Sequence, residues 1–265
     1  MTSPLLSLTL SVHYPSRTNV IKGVLLQVRE GEIIGLAGQS GSGKSTLALA
    51  ILRLLWMRGA SAEGQILFEG HNLMRLSEPQ MRLIRGKRIA LVLQNPAASL
   101  NPALRIGAQF REGWRAHESA ESRDWKQHAL DLLASVSLPA DESFLRLYPR
   151  ELSIGMAQRV MIALGIQHRP ALLIADEATS ALDVITQAEI LELLRRLNRD
   201  LKMAILFISH DLPAVASICH RVAILNGGEI VETGDTERIF NAPEHPYTRR
   251  LIESLPAQPN LLVNR

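Results

Sequence analysis

The stretch EIIGLAGQSGSGKSTLALAILRLL, residues 32–55, restricts the folds open to this 265-residue chain more than any other. It opens on an apolar run ending in glycine, EIIGLAG (32–38), and closes on GKSTLALAILRLL (43–55). A short continuous apolar run reads as a strand buried on both faces, and a helix apolar on most sides reads as buried too. Between them GQSGSGKS (38–45) matches G-x-x-x-x-G-K-[ST] in the strand–loop–helix context that the motif requires. The glycines let the backbone curl so that successive N–H groups point at phosphate oxygens. Lys44 then supplies a point charge to the β- and γ-phosphates, and the Ser45 hydroxyl is placed to ligate Mg2+. A plain glycine turn leaves Lys44 followed by Ser45 at a helix start unexplained.

Three more apolar runs share the first one's character: IALVLQ (89–94), ALLIADE (171–177) and MAILFIS (203–209), the last two separated by the helix TQAEILELLRRLNRDL. Such strands alternating with helices predict a parallel sheet covered on both faces. SLTLSVHY, VLLQV and QILFEG (65–70) read as short strands joined by turns, hence a small antiparallel portion. RVAILNGGEIVETG (221–234) predicts a hairpin turning at Asn226-Gly227-Gly228. After Gln94, Pro96 and Pro102 fix a loop. Residues 104–168 read as mostly helical, with breaks near Pro139 and Pro149, an arm inserted between Gln94 and Ala171.

Ligands of open α/β sheets sit outside the carboxyl ends of the strands, so Asp176 and Glu177 are expected to face the same crevice as the phosphate loop. Asp176 suits a Mg2+ site and Glu177 a base that orients or activates an attacking water. Gln94 ends one strand and His210 directly follows another. Gln94 can touch Mg2+ or water. His210 can hydrogen-bond a γ-phosphate, hold the base, or serve as a cap beside Asp211. LSIGMAQR (152–159) puts Ser153 and Gly155 at the start of a mostly apolar helix. Ser153 there is either an ordinary N-cap or part of a helix end that holds an anion.

Composition narrows the setting. The chain is 46% hydrophobic and 21% charged, ordinary for a globular protein of one large domain or two small ones. No apolar run reaches the roughly 18 residues a membrane span needs. The best candidate, LALAILRLLWM (47–57), is interrupted by Arg53. The first residues, MTSPLLSLTLSVHY, lack the cationic start of a secretory signal. The single cysteine, Cys219, excludes an intrachain disulfide or a cysteine-based metal cluster, and a cytosolic address is expected. Net charge is only +3, and aromatics are 4% of residues, few platforms for stacking bases. The clusters Arg82/Arg85/Lys87/Arg88, Arg195/Arg196/Arg199/Lys202 and Arg249/Arg250 read as solvated helix faces, and no nucleic-acid partner is expected.

In their order and spacing, GQSGSGKS, Gln94, LSIGMAQR, LLIADE, SALD (180–183) and His210 resemble the ATP-binding subunit of ABC transporters over essentially the whole chain. The resemblance implies an α/β fold: one nucleotide-binding domain (1–265) with a P-loop NTPase (RecA-like) parallel-sheet core, an antiparallel β subdomain and a helical insertion arm. Residues 1–94 would hold the β subdomain and phosphate-loop core, 95–168 the arm with its signature helix, 169–240 the second half of the core and 241–265 a tail. It implies ATP and Mg2+, with Gly38, Gln39, Ser40, Gly41, Ser42, Gly43, Lys44, Ser45 and Thr46 around the phosphates. Ser45, Gln94 and Asp176 would stand at the metal, and Glu177, His210 and Gln94 would do the catalysis. Two such domains form a head-to-tail sandwich in which Ser153 and Gly155 contact the γ-phosphate bound by the partner and Asp183 links the two sites. Tyr14 lies where the family places an aromatic that stacks on adenine.

Two positions depart from the family pattern. Ile154 replaces the first glycine of Leu-Ser-Gly-Gly, and Ala178 replaces a proline after the acidic pair. Ile154 is expected either to crowd the γ-phosphate or to forbid a backbone of positive φ, making the site that uses this signature the slower of two. QNPAASLNP and NAPEHPYTRRLIESLP, with HPYT at 245–248, resemble importers for oligopeptides, dipeptides and nickel. Many of these continue into a cysteine-rich tail, which this sequence lacks, so no iron–sulfur cluster is carried over. The implied partners are a second ABC ATPase subunit (a heterodimer, or else a homodimer), two transmembrane permease subunits and, indirectly, an extracytoplasmic solute-binding protein. The implied place is the cytoplasmic face of the inner membrane. The alternatives are a soluble ABC ATPase acting on DNA or ribosomes, or an accessory ATPase of the carbon–phosphorus lyase kind.

Overall fold

The computed structural model of the protein describes residues 3–15, 17–118 and 124–255; part of the predicted arm (119–123) and of the predicted tail (256–265) lies outside these. Two sheets organise the described residues. The first is antiparallel, in the order β2 (Arg17–Val28), β1 (Leu6–Tyr14), β4 (Ser61–Phe68), β5 (His71–Asn72). The second has six strands, β10 (Glu229–Asp235), β9 (Arg221–Asn226), β3 (Ile33–Ala37), β8 (Ala204–Ser209), β7 (Leu172–Asp176) and β6 (Ile89–Val92). All its pairings are parallel except the β9–β10 hairpin. Both the parallel core and the antiparallel portion match the expectation from the sequence. The hairpin turns at Gly227 and Gly228, both with positive φ. A Cβ on Gly228 would collide with the Val20 carbonyl, so only glycine fits there.

The unbroken apolar runs are explained by two cores on opposite faces of one sheet. In β8, Ile205 and Phe207 belong to one apolar cluster, while Ala204, Leu206 and Ile208 belong to the other. β7 divides the same way, Leu173 and Ala175 against Leu172 and Ile174. Successive strand side chains point to opposite faces, so a strand covered on both sides must be apolar throughout. One face is covered by the antiparallel sheet and by α1 (Lys44–Ile51), the other by the arm and the later helices.

The helices between α1 and β7 are α2 (Glu78–Ile84), α3 (Pro96–Ser99), α4 (Ile106–Arg115), α5 (Trp125–Ser135), α6 (Glu142–Leu145) and α7 (Ile154–Gly165). Phe110, Leu133 and Phe144 of this arm share one cluster with Phe207 and Ala175 of the sheet, so the arm has no core of its own. Then follow α8 (Val184–Leu201), α9 (Leu212–Ile218), α10 (Thr236–Asn241) and α11 (Pro246–Glu253).

The helix expected over 43–55 ends earlier, at Ile51. Arg53 takes a positive φ and its guanidinium binds the carbonyls of Leu73 and Leu76, while Arg85 Nε donates to Leu52 O at 2.7 Å. These long-range bonds outweigh the local helical preference.

The last helices are tied down by Glu232, buried on β10, whose carboxylate accepts from the amides of Glu244 (3.0 Å) and His245 (3.1 Å). Burial pushes this carboxyl up, but those amides, with Arg238 behind them, hold it below its ordinary value. A carboxyl with a folded pKa below its unfolded one stabilises the fold above the unfolded value and loses that contribution as pH falls through the folded one. Glu232→Gln is therefore expected to lower the melting temperature by about 2–6 °C at pH 7. The difference should shrink as pH falls below the ordinary carboxyl value and vanish once the folded value is passed, as thermal melts across the acid range will show.

Candidate functional site

Strand register builds the site. Ala37 pairs with Ser209, Ile208 with Asp176, and Ala175 with Val92. The carboxyl ends of β3, β8, β7 and β6 are thereby level, and the residues that follow them share one rim. A cleft of about 910 Å3 opens there, lined by Tyr14, the phosphate loop, Gln94, Glu177 and His210. Gln94 stands two residues past the end of β6 rather than on it.

The loop of residues 38–45 is tight. A Cβ on Gly38 would collide with Leu225 O, and one on Gly43, whose φ is 109°, would stand 2.6 Å from Ile21 Cδ1. The Lys44 side chain folds back, donating to Gly38 O (2.7 Å) and Gln39 O (3.0 Å), and its Nζ lies 3.9 Å from Glu177 Oε1. Burial lowers the Lys44 pKa against the pull of Glu177 and Asp176. Ser40 and Gly41 line the cleft, whereas the Ser42 side chain is buried away from it and its amide donates to Gln39 O at 3.2 Å. The Thr46 hydroxyl lies 3.3 Å from that of Tyr14.

Ser45 Oγ donates to Asp176 Oδ1 at 3.1 Å. Burial raises the Asp176 pKa and the Glu177 charge raises it further, against Ser45 and Lys44. Two oxygen donors side by side, one a carboxylate short of solvation, fit a hard divalent cation, which would offset that charge.

Glu177 has a φ of 54°, unusual for a residue with a side chain, and its amide is pinned to Ile208 O at 2.9 Å. Its carboxylate lies between Lys44 and His210, with His210 Nδ1 2.6 Å from Oε2. The capping role open to His210 falls to Asp211 instead, which accepts from Ala214 N at 3.2 Å and from Gln187 Nε2 at 2.5 Å. Gln94 Nε2 donates to Ser180 Oγ (2.9 Å), which donates on to Glu177 O (3.1 Å).

Ser153, Gly155 and Asp183 are not part of this lining. Ser153 caps α7, accepting from Met156 N at 3.2 Å. Asp183 caps α8, accepting from the Ile185 and Thr186 amides and from the Thr186 hydroxyl at 2.7 Å. The two helix starts touch: a Cβ on Gly155 would lie 2.8 Å from Thr186 Cγ2, on a side chain already held by Asp183. Gly155 thus has a packing reason that sequence reading missed. Ile154 lies in ordinary helical backbone, so its expected conflict with positive φ does not arise. Its side chain is 58% exposed, and Val184 and Ile185 at the start of α8 are 81% and 75% exposed.

Val20, Leu251 and Ser254 also line the cleft, and Gln39 N donates to the Tyr247 hydroxyl at 3.3 Å. Val20 does not stand out in the sequence; Tyr247, Leu251 and Ser254 lie in the tail NAPEHPYTRRLIESLP, which reads as a family resemblance without a role at the cleft. The spacing of Tyr247, Leu251 and Ser254, one face of a helix, was the available signal.

Over most of its length the chain is similar to proteins of known role. The ABC transporter family matches residues 21–180, and the oligopeptide/dipeptide transporter C-terminal region matches 231–261. The dipeptide transport ATP-binding protein DppD of Escherichia coli is 43% identical over 250 residues, 93% of this chain and 76% of that one. The oligopeptide transport ATP-binding protein OppD of Bacillus subtilis is 44% identical over 244 residues, 92% of this chain and 68% of that one. Among solved structures, cbiO1 of Clostridium perfringens, part of the ABC transporter complex cbiONQ, superposes with a TM-score of 0.79 at 25% identity, covering 96% of both chains. The ATP-binding cassette MJ0796, seen as a dimer in a post-hydrolysis state with ADP and phosphate, gives 0.74 at 26% identity over 87% of this chain and 98% of that one. The loop, the acidic strand end and these relatives together make the chain an ATP-hydrolysing cassette that belongs to the ABC transporter family.

Proposed function

We propose that this cassette powers an importer for peptides, pairing head-to-tail with a second ATPase subunit beneath two membrane subunits at the cytoplasmic face of the inner membrane. The observation that carries the hydrolytic part is the Glu177 carboxylate, held between Lys44 and His210 on the rim of the cleft. The relatives named for dipeptide and oligopeptide transport, together with the matching C-terminal region, support peptides over nickel. Among the described residues no helix is long and apolar enough to cross a membrane, in keeping with a peripheral subunit that needs membrane partners.

In this reading Lys44 and the loop amides hold the phosphates, and Tyr14 offers a face to the base. Mg2+ held by Ser45, Asp176 and Gln94 would neutralise charge on the β- and γ-phosphate oxygens. Glu177 takes a proton from the attacking water, and His210 keeps that carboxylate aimed. Ser153 and Gly155, set apart from their own cleft on an exposed face, serve the γ-phosphate of the partner, with Asp183 linking the sites. Closure on ATP and reopening after hydrolysis would drive the membrane subunits through the region after Gln94 and the arm.

Affinity purification of the Glu177→Gln chain with MgATP from detergent-solubilised cells tests the assembly. Two multi-span membrane proteins and a second ATPase are expected. Ribosomes, DNA-repair proteins or a soluble metabolic complex would overturn the transport reading and leave the ATPase standing.

Ile154 carries a separate expectation. With its backbone helical, only its exposed bulk distinguishes it from glycine. Ile154→Gly should raise the steady-state ATPase rate of the assembled complex by about two- to tenfold, relief of about 0.5–1.4 kcal/mol of crowding. An unchanged rate would show that the side chain does not slow that site.

A further inference from the structure

The peptide unit joining Gly38 to Gln39 opens the phosphate loop, and it is held at both ends. Its carbonyl accepts from Lys44 Nζ at 2.7 Å, and its N–H donates to the Tyr247 hydroxyl at 3.3 Å. Tyr247 lies 208 residues further along the chain, on α11. Tyr247 is 8% exposed. Tyr247, Leu251 and Ser254 are spaced i, i+4, i+7, so one face of α11 presents all three toward the loop. Leu251 and Ser254 line the cleft directly. The helix itself is fixed at its start, where His245 Nδ1 accepts from Tyr247 N at 3.1 Å and Glu232 grips the preceding amides.

We propose that α11 is a wall of the nucleotide cleft and that Tyr247 is a positioning residue for its phosphate loop. The inference rests on reading the cleft as the ATP site. The tyrosine hydroxyl sets the plane of the first loop peptide. That plane decides where the Gly38 carbonyl points, and this carbonyl accepts from Lys44 Nζ, which also donates to the Gln39 carbonyl of the next peptide and lies 3.9 Å from Glu177. Without the hydroxyl that peptide is freer to rotate, and Lys44 loses the preorganised direction of the shorter of its two acceptors, Gly38 O. Glu177 and His210 are placed independently, by Ile208 and by β8 running into α9, so the loss falls on nucleotide binding rather than on turnover.

The test measures ATP affinity of the full chain by equilibrium titration, and KM and kcat in the assembled complex. Tyr247→Phe keeps the ring and removes only the hydroxyl. It is expected to raise the Kd and KM for ATP about three- to tenfold, the loss of one neutral hydrogen bond, with kcat unchanged and the melting temperature lowered by no more than about 4 °C. Ser254→Trp, on the exposed end of the same face, should weaken ATP by a similar factor if α11 is a wall. ATP affinity unchanged in Tyr247→Phe, or a fall in kcat with KM unmoved, would overturn the positioning role. Unchanged affinity in Ser254→Trp would overturn the wall. Failure of the unsubstituted chain to bind ATP would instead remove the reading of the cleft on which both depend.

Discussion

Replacing Glu177 with glutamine is expected to slow ATP hydrolysis about 10²- to 10⁴-fold while leaving ATP bound, the range spanned by losing a general base. Glutamine has nearly the shape of glutamate, so the pinned amide and the positive φ at this position are retained. What disappears is the negative charge beside Lys44 and His210. A triphosphate gains from that loss, since one carboxylate fewer repels it, and of the two carboxylates that draw Lys44 only Asp176 is left. The variant should therefore hold ATP at least as tightly as the unsubstituted chain and accumulate as a closed dimer. Single-turnover hydrolysis beside equilibrium ATP binding separates the two effects. Hydrolysis at the ordinary rate would show that another group takes the proton.

Lys44→Ala is expected to weaken ATP binding by about 10²-fold or more, in line with the roughly 3 kcal/mol or more lost on removing one partner of a buried charge cluster. The ammonium is the cation at the centre of the loop, donating to Gly38 O and Gln39 O and drawn by Glu177 and Asp176. Without it those two carboxylates face the phosphates uncompensated. Asp176 is already pushed up by burial and by Glu177, and loss of Lys44 pushes it further. Lys44→Arg should not restore binding, because a planar fork does not fit a pocket shaped for a compact ammonium. ATP affinity of Lys44→Ala within a few-fold of the unsubstituted chain would mean that the loop amides alone carry the phosphates. The two variants are distinguishable at once: Glu177→Gln keeps ATP and loses turnover, whereas Lys44→Ala loses ATP itself.

Much of the candidate site was legible because each of its parts is a short local segment, even though the parts lie far apart in the chain. The phosphate loop, the acidic strand end, Gln94 and His210 each lie at the end of an apolar run, and parallel strands deliver their carboxyl ends to one edge. The hairpin at Asn226-Gly227-Gly228 was equally readable, since turn chemistry is local. Ser153 reads as an N-cap from its neighbours, and Asp211 before Leu-Pro offers the same local signal, but nothing local shows that the His210 imidazole would face Glu177.

By itself, the sequence determined the sheet, the glycine loop and the charges that a triphosphate would meet, because periodicity and turn residues act over a few positions. Only the tertiary structure decided the rest. Arg53 ends α1 early by binding carbonyls twenty and more residues away. Thr186 makes Gly155 necessary from another helix. Tyr247 reaches the Gly38–Gln39 peptide across nearly the whole chain. Such contacts depend on strand register and on how helices pack over two cores, which no local pattern encodes.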